Sequence, residues 1–261
     1  MMSNKTINTE QGHWILAKMG KRVLRPGGKE LTEKLVECLH ITHQDDLVEF
    51  APGMGFTASM LLFKKPHSYS GIELNEEAAE NLRTKINGNP DACIINTSAA
   101  QTGLKDCCAD KVLGEAMLTM QADHRKSEII KEAFRILKKG GLYGIHELGL
   151  TPDDMPQETK DDIQKNLSQT IKVNARPLTK FEWCTLLKNE GFEIKEVYAS
   201  PMHLLKPARV VADEGIFRTM KIGFNVLTHP AARKKIMKMR GVFQKYEKQM
   251  TAYAIVAQKP A

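Results

Sequence analysis

Hydrophobic and polar positions along this chain alternate between two periods. Leu31, Leu35, Val36 and Leu39 recur at helical spacing, and the run DLVEFAPG that follows reads as a short apolar strand closing in a glycine turn. Residues 56–64 predict the next helix, YSGIEL a second strand, and Ala78, Ala79, Leu82 and Ile86 one face of the helix after it. ACIIN and KVLGEAML read as further strands. A helix over 123–139 carries Ile129, Ile130, Ala133, Phe134 and Leu137 on one face, with Gly140 where a C-terminal cap is expected, and GLYGIHEL reads as a buried strand. Strand and helix alternating five times predict βαβ units and a parallel sheet.

Beyond residue 150 the pattern loosens. The polar stretch TPDDMPQETKDD leads into a helix with Ile163, Leu167 and Ile171 four apart, and Thr179 with Glu182 forms a capping box ahead of Trp183, Leu186 and Leu187. EIKEVYA and TAYAIVAQK read as the last two strands. Between them lie residues 201–250, where a simple sheet needs only a short turn. Within this insertion a helix over 229–250, opened by Pro230, places Ile236, Met239, Phe243 and Tyr246 on one face. No repeat or linker divides the chain, so one domain is expected.

Composition changes this picture little. Of 261 residues, 42% are hydrophobic and 26% charged, which excludes disorder, collagen and coiled-coil classes. The start has no apolar core of a signal peptide and no uninterrupted apolar stretch is long enough to span a membrane, so a cytoplasmic protein is expected. Five cysteines without ligand spacing fit reduced thiols, and no metal site is expected. Charge is more informative. The net +7 looks like a property of the whole chain, yet the helix over 229–250 holds seven basic residues (Arg233, Lys234, Lys235, Lys238, Arg240, Lys245, Lys248) against Glu247. Without it 31 basic residues face 30 acidic ones. The excess therefore belongs to the late insertion, either as a solvated face or as a surface for an anionic membrane, substrate or partner.

The residues that suggest chemistry begin at the first turn. Gly53 and Gly55, one residue apart between a strand and a helix, let backbone approach a ligand closely, and the helix start beyond them presents free N–H groups. A nucleotide-type cofactor is implied. Gly53-Met54-Gly55-Phe56-Thr57-Ala58 also nearly fits the dinucleotide turn G-x-G-x-x-G. Eighteen residues past Gly55 stands Glu73, at a strand end where a carboxylate can accept both ribose hydroxyls. Ligand crevices in open parallel sheets lie beyond the carboxyl ends of the strands, which brings Glu115, Ala116 and Met117 beside the crevice with His146 and Glu147. His146 reads as a general base oriented by Glu147, or the pair caps a strand end, since alternation points only one of the two inward. His13 and Trp14 stand either to close over the pocket or to staple the first helix.

At these residues the chain resembles the class I S-adenosylmethionine-dependent methyltransferases. That family's first-strand motif is E/D-x-G-x-G-x-G; Glu49, Gly53 and Gly55 match it, and Ala51 replaces its first glycine. Glu73, with Leu74 beside it, falls on the family's ribose-binding acid. CCADKVLGEAML and EAFRILKKGGLYGIHEL are similar to the family's fourth- and fifth-strand segments, with Gly140-Gly141 as the turn before the fifth strand. The likeness spans residues 45–148 and continues faintly through PLTKFEWCTLLKNEGFEIKEV and the terminal strand. It departs after the third strand, where Ser98 followed by Ala99 replaces the acid that contacts adenine, which implies hydroxyl and backbone contacts there instead.

The resemblance implies an α/β fold, a Rossmann-like doubly wound seven-stranded sheet, mostly parallel with an antiparallel last strand. It implies an N-terminal helical cap over 1–44 and a cofactor-binding domain over 45–261, with lid segments 151–177 and 201–250. The implied cofactor is S-adenosyl-L-methionine, its contacts Glu49, Ala51, Gly53, Gly55, Glu73, Leu74, Ser98, Ala99 and Glu115. The implied activity is in-line methyl transfer to O, N or S of a small molecule. The chain lacks the Asn/Asp-Pro-Pro-aromatic motif of nucleobase-amine methylation and the basic–aromatic interleaving of single-strand binders, which argues against nucleic acid. Two other readings stay open: a nicotinamide-dependent oxidoreductase, from the near G-x-G-x-x-A, and a non-catalytic cofactor-binding module docking RNA or an anionic membrane through the basic helix 229–250.

Overall fold

Short apolar runs bounded by glycine turns form strands here because they can be covered by helices on both faces. The computed structural model describes residues 11–261. The first ten residues of the expected cap, including the stretch read for a signal peptide, lie outside them. Helices α1 (Gly12–Lys18) and α2 (Gly28–Cys38) precede β1 (Asp46–Phe50), α3 (Phe56–Phe63), β2 (Ser68–Ile72), α4 (Glu76–Ile86) and β3 (Ala92–Ile95). Then come β4 (Ala109–Glu115), a 3-10 turn at Leu118–Met120, α5 (Asp123–Ile136) and β5 (Leu137–Leu150). The later half holds α6 (Gln157–Ile171), β6 (Leu178–Thr179), α7 (Lys180–Asn189), β7 (Glu193–Pro201), α8 (Pro207–Glu214), α9 (Ile216–Thr228), α10 (Pro230–Lys245) and β8 (Met250–Gln258).

The sheet runs β3-β2-β1-β4-β5-β8-β7, with the two-residue β6 beside the end of β5. Among the described residues it therefore has eight strands, seven of them on the main path. β8 pairs antiparallel with β5 and β7, and the other pairings are parallel, as the resemblance implied. Order reverses between β1 and β4, so a crevice opens beyond their carboxyl ends. One face of the sheet is covered by α2, α3 and α4 through Leu35, Leu39, Leu61 and Leu82, the other by α5 and α7 through Ile129, Ile130, Trp183 and Leu187. A third apolar cluster lies past the strand ends and joins Leu16, Leu148, Leu167, Met202, Met239 and Tyr246.

Three expectations change. The helix predicted over 123–139 ends at Ile136, and Gly140 is a bulge inside β5 rather than a helix cap, with φ +76 where pairing shifts from Ala109↔Leu137 to Lys111↔Leu142. Burying Leu137 completely in the sheet outweighs one more helical turn, and Lys259 O and Gln258 Nε2 occupy the Gly140 N–H and C=O. The insertion holds three helices, of which the basic one spans 230–245. The capping box forms as read: Glu182 N donates to Thr179 Oγ1 and Thr179 N to Glu182 Oε2.

Candidate active site

The turn after β1 is built from left-handed backbone. Ala51, Gly53 and Gly55 have φ of +51, +56 and +74. At Gly55 a Cβ would come within 2.6 Å of Leu82 Cδ2 at a φ of +74, which favours glycine, while at Gly53 the nearest neighbour is Ala51 O at 3.8 Å, which leaves room for a ligand. Gly53 N donates to Glu73 Oε2 at 3.0 Å and Asn75 N to Glu73 Oε1 at 2.9 Å, fixing the carboxylate at the end of β2 against the turn. Burial raises the Glu73 pKa, opposed by the Asn75, Gly53 and Leu74 amides. Leu74 beside it is exposed and offers an apolar shelf. An acid with lone pairs left over, an open glycine and an apolar shelf fit the ribose and adenine of the implied cofactor.

Behind the turn lie two further acids. Glu49 is buried and accepts the Tyr69 hydroxyl at 2.6 Å; burial pushes its pKa up to about 8. Glu115, at the end of β4, is the hub of a buried cluster. Thr32 Oγ1 donates to its Oε1 at 2.6 Å, Thr57 Oγ1 donates to its Oε2, and Arg25 Nε lies 3.3 Å from that same oxygen. Burial alone would raise the Glu115 pKa, but the Arg25 charge, then His146 and Thr32, bring it down to about 2. Arg25 also donates to Thr57 Oγ1 at 3.0 Å, so a residue ahead of α2 is held to the first turn of α3. Arg25, Thr32 and Thr57 were not singled out from sequence. Arg25 precedes Pro26-Gly27-Gly28, a turn whose glycines were the available signal.

His146 and Glu147 point to opposite faces of β5, and both are fully buried. His146 Nε2 accepts the Gly27 amide at 3.1 Å, so the ring proton sits on Nδ1, which lies 2.9 Å from Glu115 Oε1. A Cβ on Gly27 would stand 2.9 Å from Nε2, which explains the glycine. Glu147 takes Met117 N at 2.9 Å and Leu118 N at 2.8 Å on one oxygen, and Thr119 N at 3.0 Å and Thr119 Oγ1 at 2.7 Å on the other. All four lone-pair sites of that carboxylate are used. The pair, read either as base and orienter or as a strand-end cap, serves two separate clamps, one on α2 and one on the 3-10 turn. Ser98 Oγ accepts Arg125 Nη2 at 2.8 Å and Ala100 N at 3.2 Å, with Ala99 buried next to it. Ser98 therefore keeps its hydroxyl proton to donate.

Two cavities adjoin these groups. A groove of about 1340 Å³ between α2, α3 and β7 is open, carries Glu30, Glu33 and Lys34, and meets the turn only at Met54 and Gly55. The second, about 110 Å³, lies past β4 and β5 and is lined by Leu16, Ala116, Leu148, Met202, Met239 and Phe243 among others, with His13 and Thr119 as its polar side chains. Met202 and Met239 of the insertion therefore line a pocket, whereas Met220 and Met237 are exposed. Burial lowers the His13 pKa to about 4, and Trp14 lies against the ring at 5.1 Å between centroids.

A methyltransferase-domain family model matches residues 48–145, the stretch that holds the turn, Glu73, Glu115 and the start of β5. An uncharacterised protein of Haemophilus influenzae is 32% identical over 253 residues, covering 96% of this chain and 98% of that one. Among solved structures, phosphoethanolamine N-methyltransferase 2 of Haemonchus contortus in complex with S-adenosyl-L-methionine superposes with a TM-score of 0.73 at 14% identity, over 98% of this chain and 59% of that one. The MccD protein gives 0.69 at 18%, over 90% and 98%, and the [4+2]-cyclase SpnF gives 0.68 at 15%, over 89% and 80%.

Proposed function

The chain belongs to the class I S-adenosylmethionine-dependent methyltransferases, and from that premise we propose that it methylates a small, largely apolar acceptor held in the pocket beneath α10. The choice between methyl and hydride transfer is settled by the family. S-adenosylmethionine, when bound, supplies a methyl group already activated on a sulfonium. The protein's own task is to place an acceptor in line and, where the acceptor is a neutral hydroxyl or thiol, to take its proton.

One observation carries the acceptor class. This pocket reaches Ala116, the residue after Glu115, and apart from His13 and Thr119 its lining side chains have no polar atoms beyond methionine sulfur. The Thr119 hydroxyl already donates to Glu147. Thr119 thus keeps only the acceptor lone pairs of a neutral hydroxyl, and His13 is the lining side chain that can take up a proton: burial lowers its pKa to about 4, so it is neutral at pH 7. In this reading Gly53, Gly55, Glu73, Leu74, Ser98 and Ala99 hold the nucleoside end of the cofactor. Glu49, Ala51, Arg25 and Glu115 shape the end nearer the methionine moiety, and His146 and Glu147 position the surrounding loops. Segments 151–177 and 201–250 form the lid. The proposed setting is the cytoplasm, where the exposed thiols of Cys93 and Cys107 stay reduced.

The test is transfer of labelled methyl from S-adenosylmethionine into a whole metabolite extract, followed by partition between water and an organic solvent. Label in the organic phase is expected. Label confined to water-soluble, charged products would overturn the apolar acceptor. Binding of S-adenosylhomocysteine with no label transferred to any fraction would indicate a cofactor-binding scaffold instead.

A further inference from the structure

Helix α9 has no buried residue. Ile216, Phe217, Met220, Phe224 and Leu227 are 65 to 90% exposed, and at helical spacing they fall within an arc of about 100°. Its opposite side is seated: Asn225 Nδ2 donates to Met19 O at 3.0 Å, Thr219 Oγ1 to Val210 O of α8 at 3.3 Å, and Ile222 lies over Gly20. The stripe is thus an outward face of an anchored helix and not a core residue set awaiting burial. Such contiguous apolar surface marks an interaction site.

Charge says what covers it. Residues 216–248 hold nine basic side chains against Glu247. Lys221 flanks the stripe on α9, and Arg233, Lys234, Lys235 and Lys238 are exposed on α10, which packs beside it. Among the described residues, Lys245 of α10 pairs with Asp162, whereas those four have no carboxylate partner. A second copy docking face to face would bring both basic sets together, which disfavours self-association. No helix among the described residues is long and apolar enough to cross a membrane.

We propose that α9, with the basic exposed face of α10, is a peripheral docking surface for an anionic lipid bilayer. The apolar stripe enters the boundary between headgroups and acyl chains, and the lysines meet lipid phosphates. The docking rests on this surface alone. One consequence rests on the proposed apolar acceptor: α10 turns Met239 and Phe243 toward the pocket, so the helix that lies at the bilayer also roofs the site, and a membrane-borne acceptor has a short path to it.

Flotation of the full chain with vesicles tests this, using phosphatidylcholine alone or mixed equally with phosphatidylglycerol. Wild type is expected to float with the mixed vesicles and not with phosphatidylcholine. Binding should fall at least about tenfold in the Phe217→Ser/Phe224→Ser variant and in the Lys234→Gln/Lys235→Gln/Lys238→Gln variant, and fall with salt. Thermal stabilisation by S-adenosylhomocysteine is measured in parallel and should be unchanged in both variants. No flotation of a wild type that still binds S-adenosylhomocysteine, or equal binding to both vesicle types, overturns the docking while leaving methyl transfer untouched. So does a concentration-dependent dimer in light scattering that the double serine variant abolishes.

Discussion

Glu115→Gln isolates the charge at the centre of the candidate site. The substitution keeps the shape of the side chain and removes the negative charge that Arg25, Thr57, Thr32 and His146 surround. Folding brings the Glu115 pKa from 4.5 down to about 2. At about 1.4 kcal/mol per pKa unit, the ionised form gains about 3 kcal/mol on folding. A depressed carboxylate contributes that stability above its unfolded pKa and loses it as pH falls through the folded value. The wild-type advantage should therefore be about 3 kcal/mol at pH 7 and about half of that by pH 3. Urea unfolding followed through tryptophan fluorescence reads it, since Trp183 is fully buried. Arg25→Met, which strands the carboxylate, should cost about as much or more, and the double variant less than the two singles added. A loss below about 1 kcal/mol at pH 7, or the same loss at pH 3 and pH 7, would refute a charged, Arg25-compensated Glu115.

Three further outcomes follow from other positions. Ala51→Gly should stabilise the fold by about 0.5–1 kcal/mol, because alanine there is held at φ +51; a lower midpoint in urea would contradict this. Tyr143→Phe should stabilise by about 1 kcal/mol, since the buried Tyr143 hydroxyl has no hydrogen-bond partner among the described residues, and a destabilised variant in the same assay would reveal a partner for it. His13→Ala should lower kcat with little change in S-adenosylhomocysteine affinity. In wild type, protonation of His13 should cut kcat/KM as pH falls through about 4; that limb should vanish in the variant, and an unaltered profile would remove His13 from the chemistry.

The fold was legible wherever local pattern and burial agree. Five strand–helix alternations, the glycine turn at Gly53 and Gly55 and the acid at Glu73 are all local signals, and each needs only a few neighbouring residues to take its form. Where a distant partner competes with local preference, sequence reading failed. Leu137 leaves its helix to be buried in β5, and Gly140 becomes a bulge because the chain's last residues occupy its backbone groups. At the site, His146 shows what local pattern leaves open: a histidine at a strand end beside a glutamate reads as a base or as part of a strand-end cap, and the Gly27 amide, 119 residues away, takes its Nε2.

What the sequence determined by itself was the order of elements, the cofactor turn and the place of the charge excess in the late insertion. Those follow from periodicity, from backbone freedom at glycine and from counting. Only tertiary structure decided which ionisable groups are spoken for and which are free. Glu147 is saturated by three amides and a hydroxyl, Glu115 is tied to Arg25 across 90 residues, and His13 faces an apolar pocket. It also decided that the stripe left uncovered in the insertion is on α9 rather than on the basic helix, whose Met239 is buried. The physical reason is that a side chain's chemistry depends on which donors and apolar surfaces surround it in space, and those come from segments far apart in the chain.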